Sequence, residues 1–338
     1  MIKQIKFFTK EMFFLNRKEK REKKKELNVL NDVITVINQY FPELISKFEG
    51  LTDLRHQSYV TYKMKVIFVV RLFALMCEIK SMQGITREFN TEEAIENIAT
   101  ICGLTLDEIP HCDTINDVFK NIDVSEIEEI RKYMIVKMIR NKMLEKYKIR
   151  GQYYHVIVDG TGLASSRTKY NANCLVKNKT DKKGNEYQEY STYVLEAKLV
   201  IGDMVFSIGS EFVENESENV DKNDCETKAF KRLADKIKKE YPRLRIVISG
   251  DALYASKPVM DICKSKNWKY IIRFKEGSIP TLYREFETIV KTDNESKLKN
   301  YKCVTKLDYK EHKTNVIKYT EEKKRNRICI YNRFKYNR

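Results

Sequence analysis

Two short runs constrain this chain more than any other feature. The first is His155-Val156-Ile157-Val158-Asp159-Gly160-Thr161-Gly162, and the second is Ile246-Val247-Ile248-Ser249-Gly250-Asp251-Ala252-Leu253-Tyr254. Each is a β-branched apolar stretch ending on an aspartate with glycine beside it. Such a stretch reads as a buried strand, and the aspartate projects a carboxylate where the strand leaves the core. Gly160, Gly162, Gly250 and Ala252 leave room there for something bulky. If the two strands are neighbours in one sheet, the carboxylates converge to about 4–6 Å, the reach of one shared cation or of a cation pair. Paired carboxylates of this kind suit Mg²⁺ (or Mn²⁺) and a phosphodiester substrate. A single Asp-Gly step at a strand end is commonly just a turn. Two with the same preceding pattern favour a metal site, so Asp159 and Asp251 are the candidate catalytic and metal-binding residues.

Charge points the same way. Lysine and arginine number 64 against 48 acidic residues, a formal charge of +16, which suits a polyanionic partner. Nucleic acid is the default, because lysine and arginine on phosphates release counterions. The 338 residues suffice for two domains, and 42% hydrophobic content suffices for a core. Eight cysteines are scattered without a CxxC pair, and the four histidines add little, so a zinc site is disfavoured. The cysteines read as free thiols in a reducing cytoplasm. Charges interrupt the apolar pairs Phe7-Phe8 and Phe13-Phe14-Leu15, so no secretory signal is expected. The run from Val66 to Met76 is broken by Arg71 and is too short to span a bilayer, so no membrane partner is expected.

The chain before Gly151 reads as helical. Residues 1–26 form a basic arm suited to a DNA backbone. Residues 27–150 form a helical domain for DNA binding or assembly. Asn28 to Phe48 is an amphipathic helix broken near Pro42, and Tyr59 to Met82 is the buried helix of the bundle. Thr91-Glu92-Glu93 opens another helix, which Gly103 ends. Asp113 is the expected N-cap of the helix after Pro110, with His111 packed or at the surface. Ser125-Glu126-Ile127-Glu128 reads as a capping box opening a helix to about Tyr147.

After Gly151 strand patterns dominate, over Tyr153–Asp159, Tyr187–Ile201 and Met204–Phe212, with Asn178–Asn185 as a polar loop between the first two. A basic amphipathic helix from Cys225 to Tyr241, closed by Pro242, leads into the Asp251 strand. A helix from Lys257 to Asn267 and a strand from Tyr270 to Lys275 follow. Three strands joined by hairpins, then strands joined by helices, form the α+β (mixed α/β) pattern of a ribonuclease-H-like mixed-sheet core over residues 151–290. No glycine-rich phosphate loop is present, which excludes a doubly wound nucleotide fold.

At these residues the chain resembles the DDE transposases of bacterial insertion sequences. Asp159-Gly160-Thr161 and Gly250-Asp251-Ala252-Leu253-Tyr254 look like that family's first two catalytic aspartates. The likeness continues through Cys263, Asn267 and Tyr270-Ile271-Ile272-Arg273-Phe274-Lys275. It reaches back to Pro110-His111-Cys112-Asp113-Thr114-Ile115-Asn116, and spans about Ser58 to Glu287. The resemblance implies Mg²⁺-dependent strand cleavage and transfer, with double-stranded DNA as partner (element ends and target) and room for a homodimer on it. It also implies a third acidic ligand, a glutamate on a helix beyond a β-rich insertion. Tyr283-Arg284-Glu285-Phe286-Glu287 lacks the spacing of that signature and reads as a surface helix. Residues 291–338 look like the start of the insertion, and the last thirteen lack clean alternation, as though read out of frame. The expectation is a C-terminally truncated, inactive copy. The alternatives are a non-catalytic DNA-binding fragment, a repressor-like remnant, or another ribonuclease-H-like nuclease.

Overall fold

A computed structural model of the chain describes residues 28–215, 224–292, 301–320 and 326–332. The basic arm of residues 1–26 lies outside them, as does most of the acidic loop before Cys225. The chain divides into two compact units between Lys142 and Met143.

The first unit is helical: α1 (Asn28–Tyr40), α2 (Leu44–Glu49), α3 (Met64–Met76), α4 (Glu92–Cys102), α5 (Cys112–Asn121) and α6 (Val124–Arg140). The break between α1 and α2 falls at Pro42, whose ring cannot continue a helix. Helix α3 is apolar nearly all round and is the buried one, with Val66, Ile67, Val69 and Val70 fully enclosed. It is shorter than the expected Tyr59–Met82. Gln57–Tyr59 is a separate 3-10 turn, and Cys77 and Glu78 fold back onto α3's last carbonyls. Thr91 caps α4 through Ala94 N–H, and Gly103 closes it in the left-handed conformation that glycine tolerates.

Two expected caps are misplaced by a residue or two. His111, not Asp113, precedes α5, and its Nδ1 accepts from Asp113 N–H at 3.3 Å. Asp123, not Ser125, caps α6, taking Ser125 N–H at 2.8 Å. Glu126 is thereby freed to accept from the backbone and hydroxyl of Thr52 instead of closing a capping box. Helix α6 ends at Arg140, short of Tyr147.

The second unit is a mixed sheet with helices. Its strands are β1 (Tyr154–Ser166), β2 (Leu175–Thr180), β3 (Glu186–Ile201), β4 (Met204–Val213), β5 (Ile246–Gly250) and β6 (Lys269–Arg273), followed by β7 (Tyr301–Tyr309), β8 (His312–Thr320) and β9 (Asn326–Tyr331). Five of them run in the order β4-β3-β1-β5-β6. The β4-β3 and β3-β1 pairs are antiparallel, while β1-β5 and β5-β6 are parallel. Helices α7 (Glu226–Glu240) and α8 (Lys257–Ser265) make the two crossovers. This is a ribonuclease-H-like order. Val156, Val158, Leu195, Ala197 and Leu199 fill its core, against Phe230, Leu233 and Ile237 of α7.

The structure departs from the sequence reading in three strands. β1 does not end at Asp159; it runs on to Ser166 because β3 keeps pairing with it, from Asp159↔Glu196 to Ser166↔Tyr190. β2 takes half of the expected Asn178–Asn185 loop, leaving a turn in which Asp181 accepts from the N–H groups of Lys183 and Asn185. β9 forms where no clean strand is expected. It lies between β6 and β8, antiparallel to both, with Ile330 fully buried. Beyond β6, helix α9 (Pro280–Thr292) leads into this β-rich extension, as expected. Residues 333–338, with the rest of the expected frame-shifted tail, lie outside the described residues.

Candidate metal centre

The two aspartates stand level on neighbouring strands. β1 and β5 pair in parallel from Tyr154↔Ile246 to Ile157↔Ser249. The same offset carries Asp159 to Asp251, across an interstrand spacing of about 4.8 Å. The ladder stops two residues short of them, so Asp159 sits where β1 loses β5 as a neighbour while keeping β3. Alternation puts Asp159 on the face of His155 and Ile157, away from the buried Val156 and Val158. His155 Nε2 lies 2.8 Å from Ser249 Oγ, which ties the two strands together on that face. Burial holds the His155 imidazole below its usual value, toward the neutral form. Both aspartates are exposed. Asp251 caps the turn Ala252–Tyr254, its Oδ1 accepting Leu253 N–H at 2.9 Å, which leaves Oδ2 for a ligand.

The room beside each aspartate is occupied. A Cβ at Gly250 would lie 2.7 Å from the Tyr254 ring. A Cβ at Gly160 would lie 2.7 Å from both Cδ and Oε1 of Glu226. The two bulky groups meet, with Tyr254 Oη donating to Glu226 Oε2 at 3.1 Å. Glu226 and Phe230 are one turn apart on α7 and so share a face. Phe230 meets the Tyr254 ring edge-on at 5.6 Å. Burial pushes the Tyr254 hydroxyl above its usual value, and the charges of Glu226, Asp251 and Asp159 push it the same way. Three carboxylates therefore surround one phenol. Glu226 was not among the residues singled out in the sequence; the signal for it was the pair of glycines beside the two aspartates.

Other acidic groups are engaged elsewhere. Glu196 lies opposite Asp159 on β3 and pairs with Lys198 at 3.0 Å. Glu287 on α9 pairs with Lys318 at 3.0 Å, and Glu285 is exposed. Among the described residues, two triads have donor atoms within 4.8 Å of one another: His111–Cys112–Asp113 and Asp261–Glu311–His312. The Asp159, Glu226 and Asp251 carboxylates are spread wider than that. In the second triad, Lys257 already supplies the cation, at 2.8 Å from Asp261 and 3.1 Å from Glu311. At the Asp159–Asp251 edge the donors are carboxylate oxygens, and glycine keeps the approach clear. That donor set fits a hard divalent cation.

Two family descriptions match the chain. "DDE_Tnp_1-associated" matches residues 45–134 and "Transposase DDE domain group 1" matches residues 204–330. Among solved structures, a piggyBac transposase synaptic complex with hairpin DNA, determined by cryo-electron microscopy, shows 10% identity and a TM-score of 0.40. That match covers 90% of this chain and 61% of the other, so the present chain spans less than two thirds of its length. No curated protein matches. No helix among the described residues is long and apolar enough to cross a membrane.

Proposed function

As a member of the DDE-type transposases, this chain, we propose, cuts and joins DNA strands with Mg²⁺ or Mn²⁺ held by Asp159 and Asp251. The observation that carries this reading is the level placement of the two aspartates on adjacent parallel strands. When bound, such a cation activates an attacking water or 3′-hydroxyl and stabilises the leaving oxygen. The remaining work belongs to the chain. Leu253 N–H fixes one oxygen of Asp251 and so orients the other. The His155–Ser249 link holds the two strands in register just before the site. The excess of lysine and arginine holds double-stranded DNA, as element ends and target, with a second copy of the chain on that DNA. With Asp159 and Asp251 alone, a cation is weakly held, and the expected outcome is DNA binding without transposition. The protein works in the cytoplasm, where its thiols stay reduced.

Thermal melts with and without Mn²⁺ test the site. At a hundredfold excess over its dissociation constant, a bound cation adds about 2.7 kcal/mol. Wild type should show a Mn²⁺-dependent rise in melting temperature, and Asp159→Asn and Asp251→Asn should lose it while folding normally. The metal-free variants should melt no lower than wild type, because each removes one of two like charges that repel. Asparagine variants that keep the full Mn²⁺ shift would make the pair structural.

A further inference from the structure

We propose that Glu226 is the third oxygen ligand of the Asp159–Asp251 centre, so that the first turn of α7 completes a site otherwise held by two strands. This deepens the metal reading above and rests on it.

The geometry is built for a carboxylate at this place. Residue 160 must be glycine for Glu226 to be where it is, since any Cβ there would sit 2.7 Å from the carboxylate carbon and from Oε1. Residue 250 must be glycine for Tyr254 to reach under it, since a Cβ there would strike the ring at 2.7 Å. The chain thus gives up a side chain next to each aspartate, and the Glu226–Tyr254 pair fills both gaps. Tyr254 holds only Oε2, at 3.1 Å, with a neutral hydroxyl. The tyrosine orients Glu226 without neutralising it, and Oε1 faces Gly160, the residue after Asp159. Glu226 is also anchored from its own helix, because Phe230 one turn on is fully buried against the same ring.

The competing carboxylates are differently placed. Glu196 is matched by Lys198 and Glu287 by Lys318, so both already have a cation. Glu226 has no such partner among the printed ion pairs of the described residues, and its negative charge remains for a metal. The three carboxylates do not close to within 4.8 Å of one another in the absence of an ion. Like charges hold them apart, and a cation supplies the attraction that draws them in. A third anionic oxygen donor raises affinity for a hard cation and helps to seat a second one for two-metal phosphoryl transfer. The chain then has a complete acidic set without a glutamate from a later helix.

The test is Mn²⁺ binding, read by electron paramagnetic resonance on the full chain. Glu226→Gln keeps the shape and an acceptor for Tyr254, and should weaken Mn²⁺ binding tenfold or more or remove one of two bound ions. Tyr254→Phe keeps the ring but not the hydroxyl, and should change affinity about threefold or less. Glu196→Gln should leave Mn²⁺ binding unchanged. A folded Glu226→Gln variant with wild-type Mn²⁺ stoichiometry and affinity overturns the proposal and leaves Glu226 as an anchor for Tyr254. So does loss of binding in Glu196→Gln instead. Should Glu226→Gln not fold, Gly160→Ala, which displaces the carboxylate, must weaken Mn²⁺ binding for the proposal to stand. Asp159→Asn in parallel separates the two readings. If it keeps its Mn²⁺, the metal centre itself is wrong; if it loses Mn²⁺ while Glu226→Gln does not, only Glu226 is misassigned.

Discussion

A methyl group added at Gly250 and one added at Gly160 should have different effects. At Gly250 it meets the Tyr254 ring at 2.7 Å, and that ring is 2% exposed and wedged against Phe230. Nothing there can give cheaply, so Gly250→Ala should cost about 1–3 kcal/mol, as overpacked cores do. Chemical denaturation measures it, and a variant as stable as wild type would mean that Tyr254 is not fixed where it stands. At Gly160 the obstacle is the end of a flexible glutamate, which can swing aside, so the cost falls on the site more than on the fold. The need for small residues beside both aspartates was legible in the sequence. What fills the space was not. Glu226 opens a helix whose sequence reads as basic and amphipathic, and an acidic residue in a first turn has an ordinary explanation in the helix dipole. Only the crossover of α7 over β1 brings it to Asp159.

At the scale of elements, alternation revealed the strands that are buried and missed those that are defined by their neighbours. Val156 and Val158 marked β1 up to Asp159. Gly160 to Ser166 carries no strand pattern and is extended only because β3 is already there to pair with it. β9 is similar, with Ile328 and Ile330 as its only clear apolar positions, and it is recruited by β6 on one side and β8 on the other. The extension is also clasped to the core. His312 at the start of β8 is buried, with Nε2 2.8 Å from Asp261 Oδ1 on α8, and Lys257 bridges Asp261 and Glu311. Lys257 first, then His312, holds the Asp261 carboxyl below its usual value, and Lys257 does the same for Glu311. A depressed carboxylate stabilises the fold above its unfolded value of about 4. That contribution is lost as pH falls through the lower folded value. Hydrogen exchange in the β7–β8 hairpin should therefore accelerate below about pH 4, ahead of exchange in β1 and β5. Asp261→Asn should show the faster hairpin exchange already at neutral pH. Equal acid sensitivity in the hairpin and the central strands would show that the clasp does not hold the extension.

At the scale of the whole molecule, charge and chemistry should come apart experimentally. A formal charge of +16 predicts DNA binding through phosphates, and each phosphate neutralised contributes about −0.9 to the slope of log affinity against log salt. Six such contacts would lower affinity roughly a thousandfold between 50 and 200 mM salt. That term does not involve Asp159 or Asp251, which sit at the one acidic edge of a basic protein. Asp159→Asn and Asp251→Asn each remove a negative charge from beside the scissile phosphate. They should bind a DNA duplex as tightly as wild type or slightly more tightly, with the same salt slope, while Mn²⁺-dependent nicking of supercoiled DNA disappears. Gel-shift titrations at several salt concentrations, paired with nicking assays on the same preparations, measure both quantities. If the asparagine variants lost binding and nicking together, the aspartates would be holding the fold or the DNA, and the division between a basic surface that grips and an acidic edge that cuts would have to be abandoned. If nicking survived in both variants, the cut would belong to other residues, and the level pairing of β1 with β5 would explain only the sheet.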